Sequence, residues 1–309
     1  MSVLIAGTVA IDNIRTPDGV MHAELLGGSA TFAAIATSFS SPVNLVAVVG
    51  EDFPKEHLNL FSERKINVDG LQVVEGGETF RWTGEYHDDM NSRETLETHI
   101  NVLDDFDPKL PAAAAESTIV VLANMAPADQ LKVIAQCSGS TFVIADSMDL
   151  WINIARSELD EVLKRIDLLV INDSEAKMFM DTSNVVVAGK KLLKKGPQYV
   201  LIKKGEHGAL LFGGGDRFFS AGAFPLEKLV DPTGAGDTFL GGLAGSLHQH
   251  LRENPSDTIG FDDISRAIVH GTVLASYNCE SFSADKLLAI TQADIDARTK
   301  AFLSYTQLG

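Results

Sequence analysis

The stretch DPTGAGDTFLGG, residues 231–242, places two carboxylates, a proline and four glycines immediately ahead of an apolar run. Gly234 and Gly236 free the backbone, so successive N–H groups can converge into a concavity, and the residues that follow read as the start of a helix. A glycine turn feeding a helix N-terminus binds anions, because unpaired N–H groups and the positive end of the helix dipole face one point. Asp237 then falls in the first helical turn beside that anion, where a carboxylate can accept a proton. Asp also caps helices well, so spacing alone leaves catalytic base and helix cap both open. No GxxxxGK(S/T) phosphate loop occurs in the chain. The stretch is not a GxGxxG dinucleotide fingerprint either, since Phe239 stands in the third glycine's place, far from the first strand.

A second candidate is NDSEA, residues 172–176. Asn172 and Glu175 directly follow the apolar run DLLVIN, which puts them at the C-terminal end of a strand, where α/β sheets build their sites. Magnesium keeps several waters and touches few protein carboxylates, so a single Glu175 is chemically sufficient. A helix-capping pair of Asn172 with Glu175 is the competing reading. Lys203 and Lys204 precede Gly205 as charges at a strand end. The eight histidines, His207 included, show no metal spacing and are read as surface residues.

Positioning these residues requires strands that end on a common edge. VLIAG (3–7) is a short all-apolar run ending in glycine, the pattern of a strand buried on both faces. It returns at 43–50, 117–124, 141–147, 167–172 and 198–205. Helical segments lie between most of these runs, at 30–39, 54–65, 128–137, 157–165, 174–180 and 185–193. Such alternation predicts a parallel sheet covered on both faces. After residue 237 the chain reads as mostly helical. Residues 78–102 break the rhythm: Phe80, Trp82, Gly84 and Tyr86 share one phase, while Arg81, Thr83 and Glu85 take the other. Period two predicts antiparallel strands with one apolar face, and residues 13–24 add a hairpin through TPDG. Together they form a small separate β layer.

The 309 residues are 45% hydrophobic, enough for a full core, and the net charge of -17 argues against the basic face that nucleic-acid binding needs. Cys137 and Cys279 form no CxxC and read as buried free thiols in a reducing compartment. No apolar stretch approaches the roughly 20 residues of a membrane helix, and the N-terminus reads as a first strand rather than a signal peptide. A cytoplasmic protein with no membrane partner is expected.

DPTGAGDTFLGG closely resembles the C-terminal signature of the ribokinase-like (PfkB) carbohydrate kinase family, and other segments resemble that family in the expected order. LGGSATFAA (26–34) is similar to its N-terminal di-glycine signature and NDSEA to its N-x-x-E motif. IKKGEHGALLF (202–212) looks like the strand–glycine–strand segment beside the nucleotide, and ASYNCESFS (275–283) like a later nucleotide-side segment. The resemblance implies a doubly wound, mainly parallel α/β sheet flanked by helices, in one domain spanning 1–309. A small β-strand lid is expected at about 12–24 and 78–102.

The activity implied is transfer of the γ-phosphoryl group of ATP to a hydroxyl of a sugar or sugar-like alcohol. Asp237 would be the base, with Gly234, Ala235 and Gly236 as the anion hole. Asn172, Lys203, Gly205, Gly208, Thr233 and Asn278 are implied at the nucleotide. Glu175 and Asn172 are implied for Mg2+, partly through water, and Asp231 for a monovalent cation such as K+, as in some relatives. Asp12 corresponds to an early aspartate that hydrogen-bonds sugar hydroxyls, with Gly27, Gly28, Phe32 and Asn124 at the same site. Family members commonly carry Asn where this chain has Phe32, so a polar contact is lost or replaced by Asn124, and an acceptor other than free ribose is expected. A nucleoside kinase of the same family is the nearest alternative. A catalytically silent sugar sensor is disfavoured by the intact Asp237, Gly234, Gly236, Asn172 and Glu175, and an oxidoreductase by the missing fingerprint. Exposed lid edges favour a homodimer.

Overall fold

The computed structural model describes residues 1–88, 90, 93–138 and 141–305. In chain order the strands are β1 (Val3–Ala6), β2 (Ala10–Arg15), β3 (Met21–Gly27), β4 (Val43–Gly50), β5 (Ile66–Val74), β6 (Arg81–Tyr86) and β7 (Arg93–His99). There follow β8 (Ile119–Leu122), β9 (Phe142–Ala145), β10 (Leu168–Asn172), β11 (Tyr199–Lys203), β12 (Ala209–Gly213) and β13 (Arg217–Ala221). Nine form one sheet in the order β13-β12-β11-β10-β9-β8-β1-β4-β5, and four form a second sheet in the order β3-β2-β6-β7.

The apolar runs are continuous because the large sheet is covered on both faces. Val3 and Ile5 of β1 enter one core with the helices Ser29–Thr37, Ala235–Glu253 and Phe261–Asn278. Leu4 and Ala6 enter the other with Pro127–Gln136, Arg156–Leu163, Asp173–Phe179 and Val185–Leu193. Neighbours from β5 across to β11 pair in parallel, and β12 and β13 add an antiparallel edge. The six helices expected between strands agree with the observed bounds to within two residues. Strands β5 and β13 were not expected; both lie at sheet edges, and their mixed burial interrupts the apolar run that marks a buried strand.

The chain leaves β1 toward β4 on one side and later returns to β8 on the other. The strand order therefore reverses beside β1, the place where open α/β sheets bind ligands beyond the carboxyl ends of their strands. The second sheet is the expected lid. Its hairpin β2–β3 closes through Thr16 and Val20, whose N–H···O bond is 3.0 Å. One expectation is corrected: the lid is not wholly antiparallel, because β2 and β6 pair in parallel. The connection from β3 to β6 passes through β4 and β5 in the large sheet, so β6 re-enters beside β2 in the same direction. Of the expected segment 78–102, residues 89, 91 and 92 lie outside the described residues. No helix among the described residues is long and apolar enough to cross a membrane.

Candidate active site

Residues 231–238 form a braced turn at the start of the helix Ala235–Glu253. Gly234 caps that helix at φ 75°. A Cβ on Gly234 would lie 2.4 Å from Cδ2 of Phe32, so both the backbone angle and the ring beneath demand glycine. Asp231 is 1% exposed and its Oδ1 accepts the Thr233 N–H at 2.9 Å. Asn278 donates from Nδ2 to the Thr233 carbonyl at 2.7 Å and accepts from the Thr238 hydroxyl at 3.2 Å. Ala235 was expected as an anion-hole donor, but its N–H is bonded to the Pro232 carbonyl at 3.1 Å, closing the turn. The Gly234 and Gly236 N–H groups have no hydrogen-bond partner among the described residues. Unpaired backbone donors therefore remain at Gly234 and Gly236 of the turn.

Around that turn the chain gathers charges from distant segments. Asp237 lies in the first helical turn, and its pKa is pushed up to about 6 by burial and then by Asp146, with Lys203 and Arg93 opposing. Lys203 Nζ binds Asp146 Oδ2 at 2.8 Å and lies 3.1 Å from the position of a Cβ on Gly236. Burial disfavours the charge on Lys203, but Asp146, Asp237 and Glu175 outweigh it and hold its pKa above the ordinary lysine value. On the lid side, burial and then Asp231 and Asp237 push Asp12 up to about 7, opposed by Arg93 and the Gly28 N–H. Gly27 packs against this carboxylate, since a Cβ there would meet Asp12 Oδ2 at 2.1 Å. The lid touches the turn directly: the Tyr86 hydroxyl and Thr233 Oγ1 are 2.9 Å apart. His22 of β3 also stacks on Phe282 with ring centroids 3.8 Å apart.

Asn172 and Glu175 form a full capping box. Asn172 Oδ1 accepts the Glu175 N–H at 2.8 Å, and Glu175 Oε2 accepts the Asn172 N–H at 3.0 Å. The box uses one carboxylate oxygen of Glu175, whose pKa is raised by burial and then by Asp146. Among the described residues no group of three or more His, Cys, Asp or Glu is placed to hold a metal ion. Asp231 Oδ2 is buried without a partner.

Several expected contacts fall elsewhere. Phe32 is 2% exposed and lies beneath Gly234, so it supports the turn and does not narrow an open pocket. Asn278, expected at the nucleotide, is 0% exposed, with its amide engaged by the turn. Asn124 accepts from Trp151 Nε1 at 2.9 Å and donates to Met148 Sδ at 3.1 Å, which orients the amide and leaves it one further donor and one further acceptor position. Gly205 and Gly208 have φ of 54° and 79° in the connection between β11 and β12. Lys203 is tied into the site rather than standing as a free strand-end charge. His248, read as a surface residue, is fully buried with Nδ1 2.8 Å from Ser41 Oγ, while Cys137 and Cys279 are only partly buried. Asp146 and Arg93 were not singled out from the sequence, and Tyr86 entered only as part of the period-two pattern of the lid. The signal for Asp146 was its place at the end of the apolar run TFVIAD, where strand ends carry sites.

Comparison with known proteins extends this description. A family model, the pfkB family carbohydrate kinase, matches residues 4–288. A cytidine kinase of Thermococcus kodakarensis is 31% identical over 252 residues, covering 79% of this chain and 88% of that protein. The structure of ribokinase from Giardia lamblia superposes with a TM-score of 0.83 at 20% identity, over 97% of this chain and 99% of that one. A putative ribokinase II from E. coli, solved in complex with ATP and Mg2+, gives a TM-score of 0.77 at 16% identity, over 97% and 99%.

Proposed function

The chain belongs to the pfkB family of carbohydrate kinases, and we propose that it transfers the γ-phosphoryl group of ATP to a hydroxyl of a sugar or a nucleoside. The observation that carries this reading is the pair of partnerless Gly234 and Gly236 N–H groups beside the Asp237 carboxylate. Asp237 accepts the hydroxyl proton as the new P–O bond forms. The two N–H groups stabilise charge on the transferring group. In such transfers positioning and electrostatics supply nearly all of the catalysis. Asp12 accepts hydrogen bonds from the acceptor's other hydroxyls, and the lid excludes water when Tyr86 meets Thr233. Magnesium would neutralise phosphate charge, held by Glu175 and Asn172 partly through water. The single carboxylate oxygen outside the capping box fits an ion bound mainly by phosphates and water. A monovalent cation such as K+ suits Asp231, whose buried Oδ2 has no partner. The open lid edges β3 and β7 suit pairing with a second copy.

A nucleoside acceptor is the second reading, favoured by the 31% identity to a cytidine kinase. The case against free ribose loses its basis in Phe32, whose ring is buried under the turn. An ATP-consumption screen across sugars, sugar phosphates, polyols and nucleosides, with and without K+, tests the assignment. One acceptor class should stand well above the rest. ATP turnover with none of them would overturn the reading.

Glu175→Gln separates metal binding from capping. Gln also completes a capping box, so the helix start is retained while the charge offered to Mg2+ is lost. The Mg2+ concentration for half-maximal rate is expected to rise several-fold. Unchanged Mg2+ dependence with lower thermal stability would assign Glu175 to capping alone.

A further inference from the structure

Lys203 ends β11 and Asp146 follows β9, so the two side chains meet from the strands on either side of β10. They pair at 2.8 Å, with side chains only 17% and 6% exposed. Asp146 is itself held: its Oδ1 accepts the Ser147 N–H at 2.8 Å, and its carbonyl accepts from Gln130 Nε2 at 3.0 Å. An ammonium on a four-carbon stem samples many positions unless a partner restrains it. Here the partner leaves Nζ 3.1 Å from where a Cβ on Gly236 would stand, so glycine is also what leaves room for it. Lysine has three donors, and the bond to Asp146 is the only hydrogen bond the Lys203 ammonium makes among the described residues. Two donors remain beside the partnerless N–H groups of the turn.

We propose that Asp146 is a positioning residue that holds the Lys203 ammonium at the open end of the Gly234–Gly236 turn, where Lys203 contacts the phosphoryl group in transfer. This rests on the phosphotransfer reading above. It adds a cation that needs no movement to reach the reacting group, and a carboxylate whose role is exercised through that cation.

The same pair faces the base. The charged groups acting on Asp237 are Asp146 and Lys203 from the large sheet, and Arg93 and Asp12 from the lid. Asp146 disfavours ionisation of Asp237, whereas Lys203 favours it. Removing the two members of one ion pair should therefore move the acid limb of the kcat/KM profile in opposite directions. With Asp146→Asn the limb should shift to lower pH, and kcat should fall by up to about 10²-fold, the cost of a misplaced group. With Lys203→Met it should shift to higher pH, and kcat should fall by about 10²–10³-fold, as for loss of one oxyanion donor. Calorimetry provides a readout apart from turnover: Lys203→Met should weaken binding of AMP-PNP by tenfold or more and of ADP far less. A merely structural pair predicts two variants of lower thermal stability with equal losses for both nucleotides, which would overturn the proposal. If Lys203→Met does not fold, the isosteric Asp146→Asn decides it, since a displaced ammonium should weaken AMP-PNP more than ADP and equal losses would overturn the proposal. A wild-type enzyme that phosphorylates no acceptor refutes the phosphotransfer reading instead, so the two failures are distinct.

Discussion

Asp237→Asn is expected to lower kcat by about 10²–10⁴-fold, the usual cost of losing a general base, while ATP binding survives. The substitution is nearly isosteric, and the turn is braced by Asp231, Asn278 and the Ala235–Pro232 bond rather than by Asp237. Proton acceptance is removed, together with the charge that helps to raise the Asp12 and Lys203 pKa values. In the wild type, kcat/KM should fall as the pH drops below about 6, because burial and Asp146 hold the Asp237 pKa there and the protonated carboxyl cannot accept the hydroxyl proton. The part of the acid limb set by Asp237 should be absent from the residual activity of the variant, leaving only what Asp12, with its pKa of about 7, contributes. Steady-state kinetics against pH, with calorimetric binding of a non-hydrolysable ATP analogue, checks both statements. Near wild-type turnover in Asp237→Asn would show that the turn works without a base and would sink the mechanism.

Asp12→Asn should separate activity from stability. The Asp12 carboxyl is 6% exposed, and burial with Asp231 and Asp237 raises its pKa from 3.8 to about 7. A carboxyl with a raised folded-state pKa binds its proton more tightly in the fold than in the unfolded chain. Its contribution therefore favours the fold at low pH and turns against it as pH rises between about 4 and about 7. Asn removes the buried charge, so the variant should be more stable by about 1–3 kcal/mol near pH 7.5, and the gain should vanish below pH 4. The same change loses an ionised acceptor for substrate hydroxyls. kcat/KM for the acceptor should drop by about 10²-fold or more, with ATP affinity unchanged, because a site built to pair a hydroxyl discriminates strongly when the partner is missing. Thermal melts across pH with acceptor kinetics test the pair of effects. Full activity in Asp12→Asn removes Asp12 from acceptor binding. A loss of stability near neutral pH would show that the carboxylate is satisfied in the fold.

What the sequence determined by itself is what depends on neighbouring residues. Runs such as VLIA and LLVIN declare strands buried on both faces, because burial on both sides forbids alternation. Gly234 and Gly236 before an apolar run declare a turn into a helix, because backbone freedom is a property of the residue itself. The N-x-x-E spacing of Asn172 and Glu175 offers a capping box within one helical turn as one of its two readings, and the structure forms that box. Each of these survives in the structure, and each is decided within a few residues of chain.

Tertiary structure alone decided which side chains meet. Asp146 and Lys203 are separated by 57 residues, and Tyr86 and Thr233 by 147. Phe32 reads locally as a residue that replaced a polar contact, yet it packs beneath Gly234 because the helix Ser29–Thr37 lies against the helix Ala235–Glu253. Asn278 reads as a ligand residue, but its helix carries it behind the turn, where its amide completes the bonding of Thr233 and Thr238. The parallel pairing of β2 with β6 likewise follows from the route between them, which no period within either strand records. Local sequence sets backbone conformation and the period of burial. The order of strands in the sheet sets which strand ends lie side by side, and that order is a property of the whole chain's packing.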